Sequence, residues 1–178
     1  MITRSLHILV CLVCLISFSC KGQKKETAPE TKDTANYLLP QRPLGYVSDF
    51  SQILTGSQIQ HLDSLLAAHE KETTNQVVVI TLDPDTSQVK TREDFDKFSL
   101  HLFNQWGVGQ KGKNNGVGLL VSTGQRKVRI EVGLGLETKL TDEEAKQIID
   151  SILLPAFREG DYYRGISAAA EAIIREIK

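Results

Sequence analysis

The run VVVITL at 77–82 is β-branched or aliphatic throughout, with no polar alternation. A strand with water on one face alternates apolar and polar residues, so this run predicts a strand covered on both faces, as in sheets sandwiched between helices. The flanking sequence supplies the helices. T-G-S-Q at 55–58 has the spacing of a capping box: Thr55 accepts from the third helical N–H while Gln58 reaches back, and Leu54 can staple onto Ile59. Ile59, Leu62, Leu65 and Leu66 then recur at helical spacing until the polar stretch at 73–75. Beyond the strand, DPDTSQVK at 83–90 reads as a loop and T-R-E-D at 91–94 caps a second helix. Its stripe of Phe95, Phe98, Leu102, Phe103 and Trp106 reads as core, and Gly107 ends it.

VGLLV at 117–121 and KVRIEV at 127–132, joined by STGQR, predict an antiparallel hairpin. In the second strand Val128, Ile130 and Val132 face one side, Arg129 and Glu131 the other. A third capping box, T-D-E-E at 141–144, opens a helix carrying Ile148, Ile149, Ile152 and Leu153. Pro155 is expected to kink or end it, and Gly160 to stop the next turn. Asp161 caps a last helix with Ile166, Ala169, Ala170, Ile173 and Ile177 on its buried face. The order αβαββαα predicts an α/β, three-layer α/β/α sandwich around a small mixed sheet, its first crossover parallel and right-handed.

The first 44 residues lie outside that pattern. Residues 1–19 read as an export signal: Arg4 and His7 precede an uncharged run at 8–19, too short to span a roughly 30 Å hydrocarbon core as a helix. Ser17 and Ser19 precede Cys20 in a pattern that resembles a bacterial lipobox, and lipidation of Cys20 is the expectation; an ordinary signal peptide is the alternative. Cys11 and Cys14 form a C-x-x-C, but inside the signal, so thiol redox chemistry is not expected of the mature chain. Residues 20–44 form a tether with five basic and three acidic residues and a docking segment at 37–39, and residues 45–178 form one domain with 15 basic and 19 acidic residues. This balance weighs against nucleic acid and suits cations. The expected location is the cell envelope, exported and held at a membrane by lipid.

Two motifs mimic nucleotide sites. Residues 107–114, GVGQKGKN, nearly fit a phosphate loop, but Asn114 replaces the magnesium-binding hydroxyl and the segment leads from helix to strand. VGLGLE at 132–137 lacks the third glycine of a dinucleotide fingerprint. No nucleotide site is expected. His61, His69 and His101 are widely spaced, with His61 and His69 read as solvated. What remains is oxygen chemistry at one end of the sheet. The antiparallel hairpin places the loop KGKNNG at 111–116 beside VGLGLE, which gathers Asn114, Asn115 and Glu137 with Glu131 nearby. Gly116, Gly133 and Gly135 can turn tightly and present carbonyls, and calcium takes six to eight such oxygens. Equally, Asn-Asn-Gly and Gly-Leu-Gly are ordinary turn residues.

Four ordered blocks, VSDFSQILT, LFNQWGVGQKGKNNGVGLLV, RKVRIEVGLGLETKLTD and PAFREGDYYRGI, resemble the TPM domain family of extracytoplasmic or membrane-tethered proteins over residues 45–178. The resemblance implies the same α/β/α sandwich and a divalent cation, commonly calcium, with magnesium or another ion the alternative. It implies acid phosphatase activity in some members and accessory roles in membrane complexes in others. Carried over by position, it indicates Asp49, Asn114, Asn115, Glu131, Glu137 and Asp161 as metal-site candidates. The sequence departs at Asn114, where the family pattern is expected to carry Asp; the lost carboxylate weakens cation binding and water activation. The absence of a clear nucleophile and of the expected Asp at position 114 favours an accessory or interaction module at a membrane, with a metal-assisted phosphatase using Asp49 or Glu137 as base the alternative.

Overall fold

The computed structural model describes residues 40–178. The export signal, Cys20 and the segment at 37–39 lie outside the described residues. Four strands form one sheet in the order β1 (Val47–Asp49), β2 (Gln76–Thr81), β3 (Gly116–Ser122) and β4 (Lys127–Val132). β1, β2 and β3 run parallel and β4 pairs antiparallel with β3. The two parallel steps are bridged by α1 (Gly56–Thr73) and α2 (Arg92–Trp106). After the hairpin come α3 (Asp142–Ile148), a π-helical turn (Ile149–Leu153), α4 (Leu154–Arg158) and α5 (Tyr162–Ile177).

The uninterrupted apolar character of β2 has its explanation in the two cores. Val77 and Val79 join Val117, Leu119, Val121, Val128 and Ile130 against α1, α3 and α5. Val78 and Ile80, with Leu120, face Phe95, Phe98, Leu102 and Phe103 of α2 on the other side. Each such side chain contributes about 1.5–3 kcal/mol when fully buried. Gly118 is required here. A β-carbon on it would stand 1.8 Å from Cε1 of Phe103, so the ring occupies the space a side chain would need.

All three capping boxes form as the spacing predicts, on Thr55 with Gln58, Thr91 with Asp94, and Thr141 with Glu144. Gly107 ends α2 at φ 64, and Asp161 accepts from the Arg164 N–H to cap α5. Two local expectations are corrected and a third is narrowed. β1 was not expected: only three residues long, it exists through its pairing with residues 79–81 of β2. Of the two outcomes expected at Pro155, a kink or a stop, the stop does not occur. The preceding turn widens so that the Leu154 N–H donates to the Ile149 carbonyl, five residues back, and the helix continues to Arg158. His69 is buried, with Nε2 3.3 Å from the Thr73 hydroxyl, although its position had read as solvated.

The end of the predicted tether also packs on the domain. The Trp106 indole N–H donates to the Pro40 carbonyl at 2.8 Å, and the Leu44 N–H to the Ser48 hydroxyl at 3.0 Å.

Candidate functional site

The hairpin register brings Val117 opposite Val132, so the start of β3 does lie beside the end of β4. Beyond it the Gly133 N–H donates to the Gly116 carbonyl at 2.8 Å and the Gly135 N–H to the Asn114 carbonyl at 3.0 Å. β-Carbons at Gly133 and Gly135 would stand 2.2 Å from the carbonyl oxygens of Asn114 and Lys113 respectively. These glycines therefore let two backbone segments press together. The carbonyls of Asn114 and Gly116 are engaged in that contact.

A cleft of about 670 Å³ opens at this junction, between the polar face of β4, the end of α2 and the first turn of α3. Asn114, Glu131 and Glu137 line it, as do Arg129, Asp142 and Glu143. The alternation of β4 explains the first group: Val128 and Ile130 enter the core while Arg129 and Glu131 turn toward α2. Arg129 Nε and Glu131 Oε1 are 3.1 Å apart, and the Glu131 side chain is only 14% exposed. Burial pushes the Glu131 carboxyl above its ordinary value, and the neighbouring guanidinium offsets only part of that rise. Burial works against the charge on Arg129, but Glu131, Asp96 and Asp142 outweigh it and hold the guanidinium above its usual range.

Asp142 reads from the sequence as first-turn helix charge, and Glu143 is not singled out by it. The signal that could have placed them in the cleft is the third capping box itself. It starts α3 five residues after Glu137, so the first turn of the helix must return to the same edge. Leu100 and Asn104 reach the cleft from α2, a placement that depends on which face of the sheet α2 covers.

The remaining candidates go elsewhere. Asn115 is buried, its Oδ1 accepting from the Gln110 N–H at 2.8 Å and its Nδ2 donating to the Thr74 carbonyl at 2.6 Å. It clamps the loop before β3 to the end of α1. Asp49 does not converge with the hairpin ends. In the parallel register it stands opposite Thr81, at the end of β2 away from Gln76 and Gly116. Its carboxylate accepts from the N–H groups of Ile53 and Leu54 at 3.2 and 2.9 Å and from the Thr81 hydroxyl. Asp161, on the cap of α5, lies toward that far end as well: the other end of α5 reaches the start of β2, where Asn75 Nδ2 donates to the Ile177 carbonyl. The six candidates thus divide, with Asn114, Glu131 and Glu137 alone sharing the cleft.

Can the cleft residues hold a divalent cation? The Asn114 amide and the Glu137 and Glu143 carboxylates make no hydrogen bond or ion pair with another described residue, so their oxygens are available. Among the described residues no three His, Cys, Asp or Glu side chains converge as a ready ligand cluster. Asn114, Glu137 and Glu143 therefore offer oxygens of the kind a hard cation takes, spread along the cleft wall and not gathered at one point.

A sequence model of the TPM domain matches residues 47–176. The chain belongs to the TPM domain family. Among solved structures, the N-terminal domain of a protein from P. gingivalis is 32% identical, with a TM-score of 0.65 over 74% of this chain and 80% of that one. The N-terminal domain of the cg2496 protein from Corynebacterium glutamicum is 16% identical, with a TM-score of 0.55 over 79% of this chain and 85% of that one. The BA42 protein of Bizionia argentinensis is 17% identical, with a TM-score of 0.54 over 72% and 83%. The last two show the shared fold. No curated protein matches the chain. In this TPM domain the cleft therefore belongs to the matched region, while Cys20 and the preceding run precede it.

Proposed function

We propose that this TPM domain binds a divalent cation, calcium foremost, in the cleft between β4 and α3, and acts as an accessory or interaction module at a membrane. One observation carries the reading: four carboxylates, of Glu131, Glu137, Asp142 and Glu143, line the cleft with a single guanidinium, and the side-chain oxygens of Asn114, Glu137 and Glu143 have no partner among the described residues. Such a field attracts a cation and repels a bare phosphate ester. A bound calcium would neutralise the charge of the cleft and tie together the loops that carry its oxygen donors. The chain's own part is to hold Asn114 through the Gly133 and Gly135 contacts and Glu137 through the turn that leads to α3.

The cation test is a calcium titration of the full chain followed by backbone amide shifts. Open sites of this kind bind at about 10⁻⁴–10⁻³ M. Saturable shifts at Asn114, Gly135 and Glu137 are expected, with Asp49 unmoved. No response by about 10 mM, ten times the weak end of that range, would sink the proposal.

The alternative, metal-assisted hydrolysis of phosphate monoesters, draws on one feature: burial raises the Glu131 carboxyl, which suits it to donate a proton to a leaving group. Asp49, across the sheet and engaged by three donors, is poorly placed as base. A phosphate-ester assay on the full chain separates the readings. Turnover that is lost in Glu131→Gln while the fold persists would make the domain an enzyme.

Export and lipidation at Cys20 would hold the domain at an envelope membrane, and the lipobox-like spacing supports this. Incorporation of labelled palmitate by the parent and not by Cys20→Ala checks it.

A further inference from the structure

At the other end of the β3–β4 hairpin a second cavity, of about 410 Å³, lies between the hairpin and α4 with the start of α5. That size lies within the usual range for small-molecule sites. Its walls divide chemically. Val128, Leu154 and Phe157 are apolar, whereas Arg126, Arg158 and Tyr162 bring two guanidiniums and a phenol. Neither guanidinium pairs with a carboxylate among the described residues.

The neighbouring acids are engaged elsewhere. Glu159 and Asp161 both pair with Arg164. Asp83 accepts from the Ser122 hydroxyl at 2.8 Å, the Thr123 hydroxyl at 3.3 Å and the Gly124 N–H at 2.9 Å. Two cations on one concavity with no carboxylate among its lining residues, and with Glu159, Asp161 and Asp83 engaged elsewhere, leave a positive field beside apolar walls. Arg126 moreover occupies the left-handed region at φ 52, where glycine would be unstrained.

We propose that this cavity binds an amphiphilic organic anion, its oxyanion held by Arg126, Arg158 and the Tyr162 hydroxyl and its apolar body against Phe157, Leu154 and Val128. Guanidinium forks match carboxylate and phosphate oxygens alike, and an attached apolar group of modest size covers the apolar walls. This site is at the opposite end of β4 from the acidic cleft, and its sign of charge is opposite.

The test titrates the full chain with phenyl phosphate, benzoate, inorganic phosphate and benzyl alcohol while following backbone amides. Saturable shifts at Val128, Leu154 and Tyr162 with phenyl phosphate or benzoate, at least about tenfold tighter than with inorganic phosphate or benzyl alcohol, support the proposal; the tighter of the first two identifies the headgroup. Arg158→Gln and Arg126→Gly should each weaken binding by about tenfold, the second while suiting the left-handed backbone. Binding of benzyl alcohol as tight as that of the anions, shifts confined to Asn114 and Glu137, unchanged affinity in both arginine variants, or no saturation by either organic anion would each overturn it.

Discussion

The guanidinium of Arg129 and the carboxylate of Glu131 meet at 3.1 Å on the face of β4 that looks toward α2, two residues apart and so on the same side of the strand. Burial raises the Glu131 carboxyl above its ordinary 4.5. Between that value and the raised one, the folded protein keeps a proton that the unfolded chain has released. The contribution is therefore fully present below 4.5 and is lost as pH rises through the folded value. Glu131→Gln should flatten this part of the profile relative to the parent, read as urea unfolding midpoints from about pH 4 to pH 7. Arg129→Met leaves the carboxylate unpaired and should cost about 1–2 kcal/mol at neutral pH, discounted because the arginine is partly solvated, and less in acid.

Gly118 and Phe103 define how closely α2 can approach β3. In Gly118→Ala the ring must leave its place, at a cost of about 2–3 kcal/mol in equilibrium unfolding. Adding Phe103→Leu should recover part of that loss. A double variant as unstable as the simple sum of the two singles would show that the contact is not the cause.

Asn114 and Asn115 are adjacent in sequence and opposite in role. Asn115→Ala leaves the Gln110 N–H and the Thr74 carbonyl without their partner, and should cost about 2–3 kcal/mol. Asn114→Asp changes stability by less than about 0.5 kcal/mol, since its side chain is exposed and Asp tolerates the left-handed φ of 50. The added carboxylate should tighten calcium about tenfold, measured by the same amide titration. Unchanged affinity would remove Asn114 from the ligand set.

The third capping box gives an acid-side prediction of opposite sign. The backbone N–H and hydroxyl of Thr141 hold the Glu144 carboxyl below its ordinary value. Its contribution is present above 4.5 and is lost as pH falls through the lowered folded value. Glu144→Gln keeps the cap geometry and should flatten the acid limb, whereas Thr141→Ala should lose about 1 kcal/mol above pH 4.5 and less in acid, because its hydroxyl both caps the helix and holds the Glu144 carboxylate. Circular dichroism melts across the acid range check both.

Much of this architecture was legible because its signals are local. Thr55, Thr91 and Thr141 announce their helices through residues only three positions away, and the period of β4 places Arg129 and Glu131 on one face without reference to any other element. The hairpin also predicted that Asn114 and Glu137 would meet at one edge. β1 left no such signal: with three residues it is too short to show a period, and pairing with β2 defines it. At Pro155 the local rule left a kink or a stop open, and a π-helical turn lets the chain accommodate a residue that lacks an N–H without stopping.

The sequence alone determined the helices, their caps, the doubly covered strand and the acidic hairpin edge, since each depends on periodicity or on hydrogen bonds a few residues long. Only the tertiary structure decided where Asp49 and Asp161 stand, because strand direction is set by crossovers and long-range pairing. Running β1 parallel to β2 carries Asp49 to the far end of the sheet, and the direction of α5 carries Asp161 the same way. The same pairings turn α2 onto the polar face of β4 and bring the first turn of α3 back to it, which makes a cleft from residues that no local pattern connects.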